Sequence, residues 1–98
     1  MKIDIQSVHF NADQKLEERI SNKVTKLNNF HDGINDAKVN LHLDNDATGD
    51  NKVAELKVLI NGNEMFAKKQ TNSFEESFDL AFEAVKNQLI KHKGKLMK

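Results

Sequence analysis

Four cations stand at helical spacing near the start of the chain: Lys15, Arg19, Lys23 and Lys26, separated by four, four and three residues. At about 100° per residue they fall into one stripe. Such a row of long basic side chains can neutralise several phosphates of a nucleic acid and release their counterions. The same stripe can also be an ordinary solvated face, with Lys15 and Arg19 partly balanced by Glu17 and Glu18. A second set closes the chain, where Lys86, Lys91, Lys93, Lys95 and Lys98 follow the last acid, Glu83. These five can bind phosphate or complement the negative end of a helix dipole. Lys68 and Lys69 can extend a basic surface or guard a sheet edge against aggregation.

Other chemistry finds less support. Asp44-x-Asp46-x-Thr48-Gly49 with Glu55 at the twelfth position approaches a calcium loop of the EF-hand type. Its flanks alternate like strands, and its eighth position is Asn51 instead of an apolar residue, so an acidic hairpin loop is expected. His9, His31, His42 and His92 are scattered, and no cysteine is present, so no metal site, cofactor or thiol chemistry is expected. There is no glycine-rich phosphate loop, nucleophile elbow or diagnostic histidine-carboxylate pattern, which points away from an enzyme and from a small-molecule substrate. Phe10, Phe30, Phe66, Phe74, Phe78 and Phe82 are in principle stacking platforms, but the spacing of the last three places them in a core.

The elements that must position these residues follow from periodicity. Ile3 and Ile5 alternate with polar neighbours in a first strand. Asn11 with Gln14 suggests a capping box, after which Leu16, Ile20, Val24 and Leu27 mark an amphipathic helix ending near Phe30, with Gly33 closing it. Val39, Leu41 and Leu43 define the buried face of a second strand, and Ala54, Leu56, Val58 and Ile60 that of a third. Asn61-Gly62 is a type I′ turn signal, predicting a tight hairpin into a fourth strand over roughly 64–70 with Met65 and Ala67 on one face. Ser73 and Glu76 cap a last helix whose face is Phe74, Phe78, Ala81, Phe82, Val85, Leu89 and Leu96.

The expected fold is α+β in the order β-α-β-β-β-α: a four-stranded mixed sheet with both helices on one face. A right-handed crossover makes strands one and two parallel, and the rest form an antiparallel meander. Ninety-eight residues suffice for one core and no second domain. No apolar run exceeds Val58-Leu59-Ile60, so neither a membrane span nor a signal peptide is expected, and the protein is read as cytoplasmic. Fifteen basic and fifteen acidic residues cancel. The sum hides a polarity, since 32–55 is rich in acids and the tail is basic.

The chain resembles the ribosome hibernation promoting factor family, also known as ribosome-associated inhibitor or sigma-54 modulation proteins. The resemblance runs through the Lys23-x-x-Lys26-Leu27-x-x-Phe30 pattern, the strand with Val39 and Leu41, and the Val58-x-Ile60-Asn61-Gly62 hairpin. Its most specific part is the last helix, where Asp79-Leu80-Ala81 is followed by Gln88-Leu89 and Lys91-His92-Lys93. It implies a fold like that of double-stranded-RNA-binding domains and a non-enzymatic factor that binds the small ribosomal subunit and its rRNA in the mRNA and tRNA channel. Such a factor blocks translation and preserves idle ribosomes in stress and stationary phase.

By position, the resemblance makes Lys23, Lys26, Lys86, Lys91 and Lys93 RNA contacts, with Gln88 and His92 beside them, and Lys15 and Arg19 join them from the helical stripe. Ala84, Asn87 and Ile90 stand where the family commonly carries further basic residues, implying weaker or more salt-sensitive affinity. The chain is read as a short form, 1–98, without the C-terminal ribosome-dimerisation domain of long members, and the resemblance implies a separate ribosome-dimerising factor as a possible partner. The alternative is a protein-interaction module that modulates a transcription factor.

Overall fold

A computed structural model describes residues 2–8, 13–29, 33–44 and 49–96, with backbone only for 92–96. The elements run β1 (Lys2–Val8), α1 (Gln14–Thr25) continued by a 3-10 turn (Lys26–Asn29), β2 (Ile34–Leu43), β3 (Lys52–Ile60), β4 (Asn63–Thr71) and α2 (Phe74–Leu96). The sheet order is β1-β2-β3-β4, with β1 and β2 parallel and the other pairs antiparallel, as the alternation and the crossover rule require.

Register decides which side chains meet the helices. Ile5, Val39, Leu56 and Ala67 form one cross-strand row, and Ile3, Ala37, Val58 and Met65 form the next. Ile20, Val24 and Leu27 of the first helical segment and Phe78, Ala81, Phe82, Val85 and Leu89 of α2 close over them in one core. Removing this apolar surface from water is the main force holding both helices on the same face. The Asn61-Gly62 turn has φ of 49° and 80°, the left-handed values that a type I′ hairpin needs.

Three details depart from the periodic reading. Leu43, expected inside, is 46% exposed, because alternation assigns a face to a residue but does not put a helix above the strand's last position. Val53, outside the expected buried face of the third strand, is fully buried next to its register partners His42 and Gln70. The first helix is capped by Asp13, whose side chain accepts from the Lys15 amide, so the helix begins after the expected cap. Asn11 itself lies outside the described residues, as do His9, Phe10, Phe30, His31, Asp46, Thr48 and Lys98.

The second cap is as expected, with the Glu76 amide donating to Ser73 Oγ at 3.2 Å. Just behind it, the hydroxyls of Thr71 and Ser77 lie 2.8 Å apart and between them reach the carbonyls of Ser73 and Lys52. Ser77 is the one buried polar residue among those described, and this network satisfies it while pinning the start of α2 to β3 and β4.

Candidate nucleic-acid interface

Chain direction does most to build the site. Since β1 and β2 are parallel, α1 must carry the chain back along the sheet, against the strand direction. α2 also runs against β4, for Ser77 lies beside Thr71 and Gln88 beside Phe66. As β4 points the same way as β1, the two helices lie side by side and point the same way.

Both helical segments hold acids in the first turn and end in bases, although in α1 Lys15 also stands in the first turn, ahead of Glu17. The first turns hold Glu17 in α1 and Glu75 and Glu76 in α2, whereas Lys23 and Lys26 close the first helical segment and Lys86 and Lys91 lie in the second half of α2. Each arrangement suits its own helix dipole. Parallel packing turns two local preferences into one molecular polarity. The helix starts lie at the end of the sheet that bears Asp44 and Asp50, and one depression there is lined by Asp13, Lys15, Lys52, Ser73 and Glu75 with Leu16 and Phe74, so that two ammonium groups stand among its carboxylates. The basic helix ends lie at the other, where β2 begins opposite the Asn61-Gly62 turn and the Asn61 amide donates to Asn35 Oδ1 at 3.3 Å.

The expected contacts divide by their surroundings. Lys15, Lys26 and Lys91 are exposed and have no ion-pair partner among the described residues. Arg19 and Lys23 converge on Asp79 of α2: Arg19 Nη2 donates to Oδ2 at 3.0 Å and Lys23 Nζ to Oδ1 at 2.7 Å. Lys23 Nζ also lies 5.6 Å from the centre of the Phe82 ring, within cation–π range. Partial burial would raise the Asp79 pKa, but the two cations outweigh it and hold the carboxyl below its ordinary range. Lys86, seven residues beyond Asp79 and so within about 20° of it around the helix, pairs with Glu83 at 2.9 Å. Of His92 and Lys93 only the backbone is described, at the end of α2.

Gln88 has a different occupation. Its Nε2 donates to the Phe66 carbonyl at 2.9 Å and its Oε1 accepts from the Phe66 amide at 3.3 Å. This side chain acts as a short extra strand on the free edge of β4, pairing both hydrogen-bonding groups of one edge residue. Asp79 and Gln88 were not legible as partners of Lys23 and Phe66, since 56 and 22 residues separate them and only packing brings them together.

The sheet face away from the helices is less suited to a polyanion. Its 160 Å³ depression is lined by Asp4, Gln6, Lys38, Asn40, Glu55, Lys57 and Phe66 with Val39, so two carboxylates face two ammonium groups. Lys57 pairs with Glu64 at 3.5 Å, and His42 lies 3.4 Å from Glu55. The exposed Phe66 is on this face, distant from the aromatic cluster of the core. Among the described residues no three His, Cys, Asp or Glu side chains converge as metal ligands, and no helix is long and apolar enough to cross a membrane.

A family model described as sigma 54 modulation protein / S30EA ribosomal protein matches residues 3–97. No curated protein sequence matches the chain. Among solved structures, a ribosomal subunit interface protein from Coxiella burnetii is similar in fold, with a TM-score of 0.84 and 19% identity over 96% of this chain and 99% of that one. The N-terminal domain of Protein Y from Thermus thermophilus is similar at a TM-score of 0.80 and 20% identity, over 94% of this chain and 99% of that one.

Proposed function

The chain belongs to the sigma 54 modulation protein / S30EA ribosomal protein family, and from that premise we propose that it is a translation inhibitor that seats its basic end on rRNA of the small ribosomal subunit. The observation that carries the reading is the placement of both basic helix ends at one pole of a molecule with no net charge. Cations held on rigid helices meet backbone phosphates without reading sequence. The body of the domain then occupies the mRNA and tRNA channel, so inhibition is steric and needs no catalytic group. Lys26, Lys91 and Lys93 are the principal contacts in this reading, with Lys86, Arg19 and Lys23 reinforcing them and His92 adjacent, whereas Lys15 stands apart at the start of α1, beside Asp13 and Glu75 at the other pole. In this reading the domain acts in the cytoplasm and preserves idle ribosomes.

Co-sedimentation with purified small subunits across a salt series tests this reading. The informative variant is Lys26→Glu with Lys91→Glu, because both side chains are exposed and unpaired among the described residues, so reversal leaves the fold intact. Saturable binding that weakens with salt and drops at least about tenfold in the variant is expected, two lost phosphate contacts being replaced by repulsion. Absence of binding at low salt, or full binding by the variant, would contradict the proposal.

A further inference from the structure

Asp79 stands within the basic surface and carries the opposite charge. A lone carboxylate there can act in two ways: it can compete with phosphate and weaken binding, or it can hold the cations where phosphate needs them. The geometry separates these. Each Asp79 oxygen takes one donor from one cation, Arg19 Nη2 at 3.0 Å and Lys23 Nζ at 2.7 Å, from a different helix. Arg19 therefore keeps four of its five N–H donors and Lys23 two of its three. Arg19 and Lys23 lie one turn apart, a like-charge spacing that is unfavourable on an isolated helix. The carboxylate offsets that repulsion and leaves the pair with a net positive charge.

We propose that Asp79 is a positioning residue for phosphate: by reaching across from α2 it brings Arg19 and Lys23 of α1 together as a preformed site for one phosphodiester group of an RNA backbone. The inference rests on the ribosome-binding reading and deepens it. Arg19 and Lys23 side chains are 45% and 31% exposed, so their remaining donors stay accessible to a ligand while their stems are held. The Phe82 ring under Lys23 restrains the same ammonium group from a second side. Two long side chains that would otherwise lose rotamer freedom on binding have already lost it in the free protein.

The test turns on the sign of an effect. Asp79→Asn makes the protein one unit more positive, which by charge alone strengthens binding to RNA. Positioning predicts the reverse: in co-sedimentation with small subunits, Asp79→Asn binds about two- to tenfold weaker, the equivalent of re-ordering one long side chain. Glu18→Gln, the same charge change on the exposed side of α1, binds as tightly as the native protein or more so. A double-mutant cycle removes the possibility of a merely structural effect: in an Arg19→Gln, Lys23→Gln background, Asp79→Asn produces no further loss. Native protein that binds, with Asp79→Asn binding equally or more tightly, would overturn the positioning role alone, as would an undiminished loss in the double-glutamine background. Native protein that fails to bind would overturn the ribosome reading and this inference with it.

Discussion

Asp79 links α1 to α2 through charge, and its stability contribution depends on pH in a definite direction. Its folded-state pKa lies below the ordinary value of 3.8, despite a burial effect that pushes the other way, because Lys23 and Arg19 hydrogen-bond to the charged form. A depressed carboxyl stabilises the fold above its unfolded pKa and loses that contribution as pH falls through the lower folded value. The melting temperature of the native protein is therefore expected to exceed that of Asp79→Asn at pH 6, with the gap closing on acidification below about pH 4. A gap that persists unchanged at pH 2 would show that the ion pairs do not produce it. The carboxylate is one-third exposed, so solvent screening keeps the gap small. The same geometry separates Lys23 from Lys26: reversing Lys23 puts a second carboxylate beside Asp79 and damages the helix packing along with any RNA contact.

At the scale of elements, the sheet has two edges, and β4 is the one that α2 covers with a side chain. Gln88 makes both of its hydrogen bonds to the Phe66 backbone, so Gln88→Ala leaves an edge amide and carbonyl without them. A loss of about 1–3 kcal/mol in chemical denaturation is expected, from two bonds at roughly 0.5–1.5 kcal/mol each. The exposed edge should also raise self-association at high concentration, visible in analytical ultracentrifugation. If the RNA interface used Gln88 instead, the variant would lose ribosome binding with its stability unchanged. The elements themselves were legible from period and turn chemistry: Asn61-Gly62 has the positive φ values, and Ser73 caps α2. Leu43 and Val53 were not, because a period-two pattern distinguishes the faces of a strand but not the depth of cover at each end.

For the whole molecule, the central property is a strong polarity with zero formal charge. A neutral protein with diffuse charges has little salt dependence in its binding to RNA, whereas a basic pole releases counterions locally. With roughly four to six phosphates neutralised, the slope of log K against log salt is expected near −3 to −5. A slope close to zero in the salt series would mean that binding, if present, does not use this pole. The family match over residues 3–97 and the two structural neighbours agree with the fold, and at 19% and 20% identity those neighbours speak for the fold alone.

The sequence by itself determined the local features: which residues alternate, where the last helix is capped, where the hairpin turns, and that only bases follow Glu83 to the end of the chain. These depend on interactions between residues a few positions apart, which a linear pattern records directly. Tertiary structure decided what those features became together. The parallel β1–β2 pairing and the return of α2 along β4 aligned the helices and gathered their basic ends at one pole. Packing then tied Arg19 and Lys23 to Asp79 and engaged Gln88 with a strand edge, giving several of the expected RNA contacts internal partners. Such pairings join residues 22 to 60 positions apart. Their energies depend on distance in space, and a chain's spacing does not reveal that distance until the core has closed.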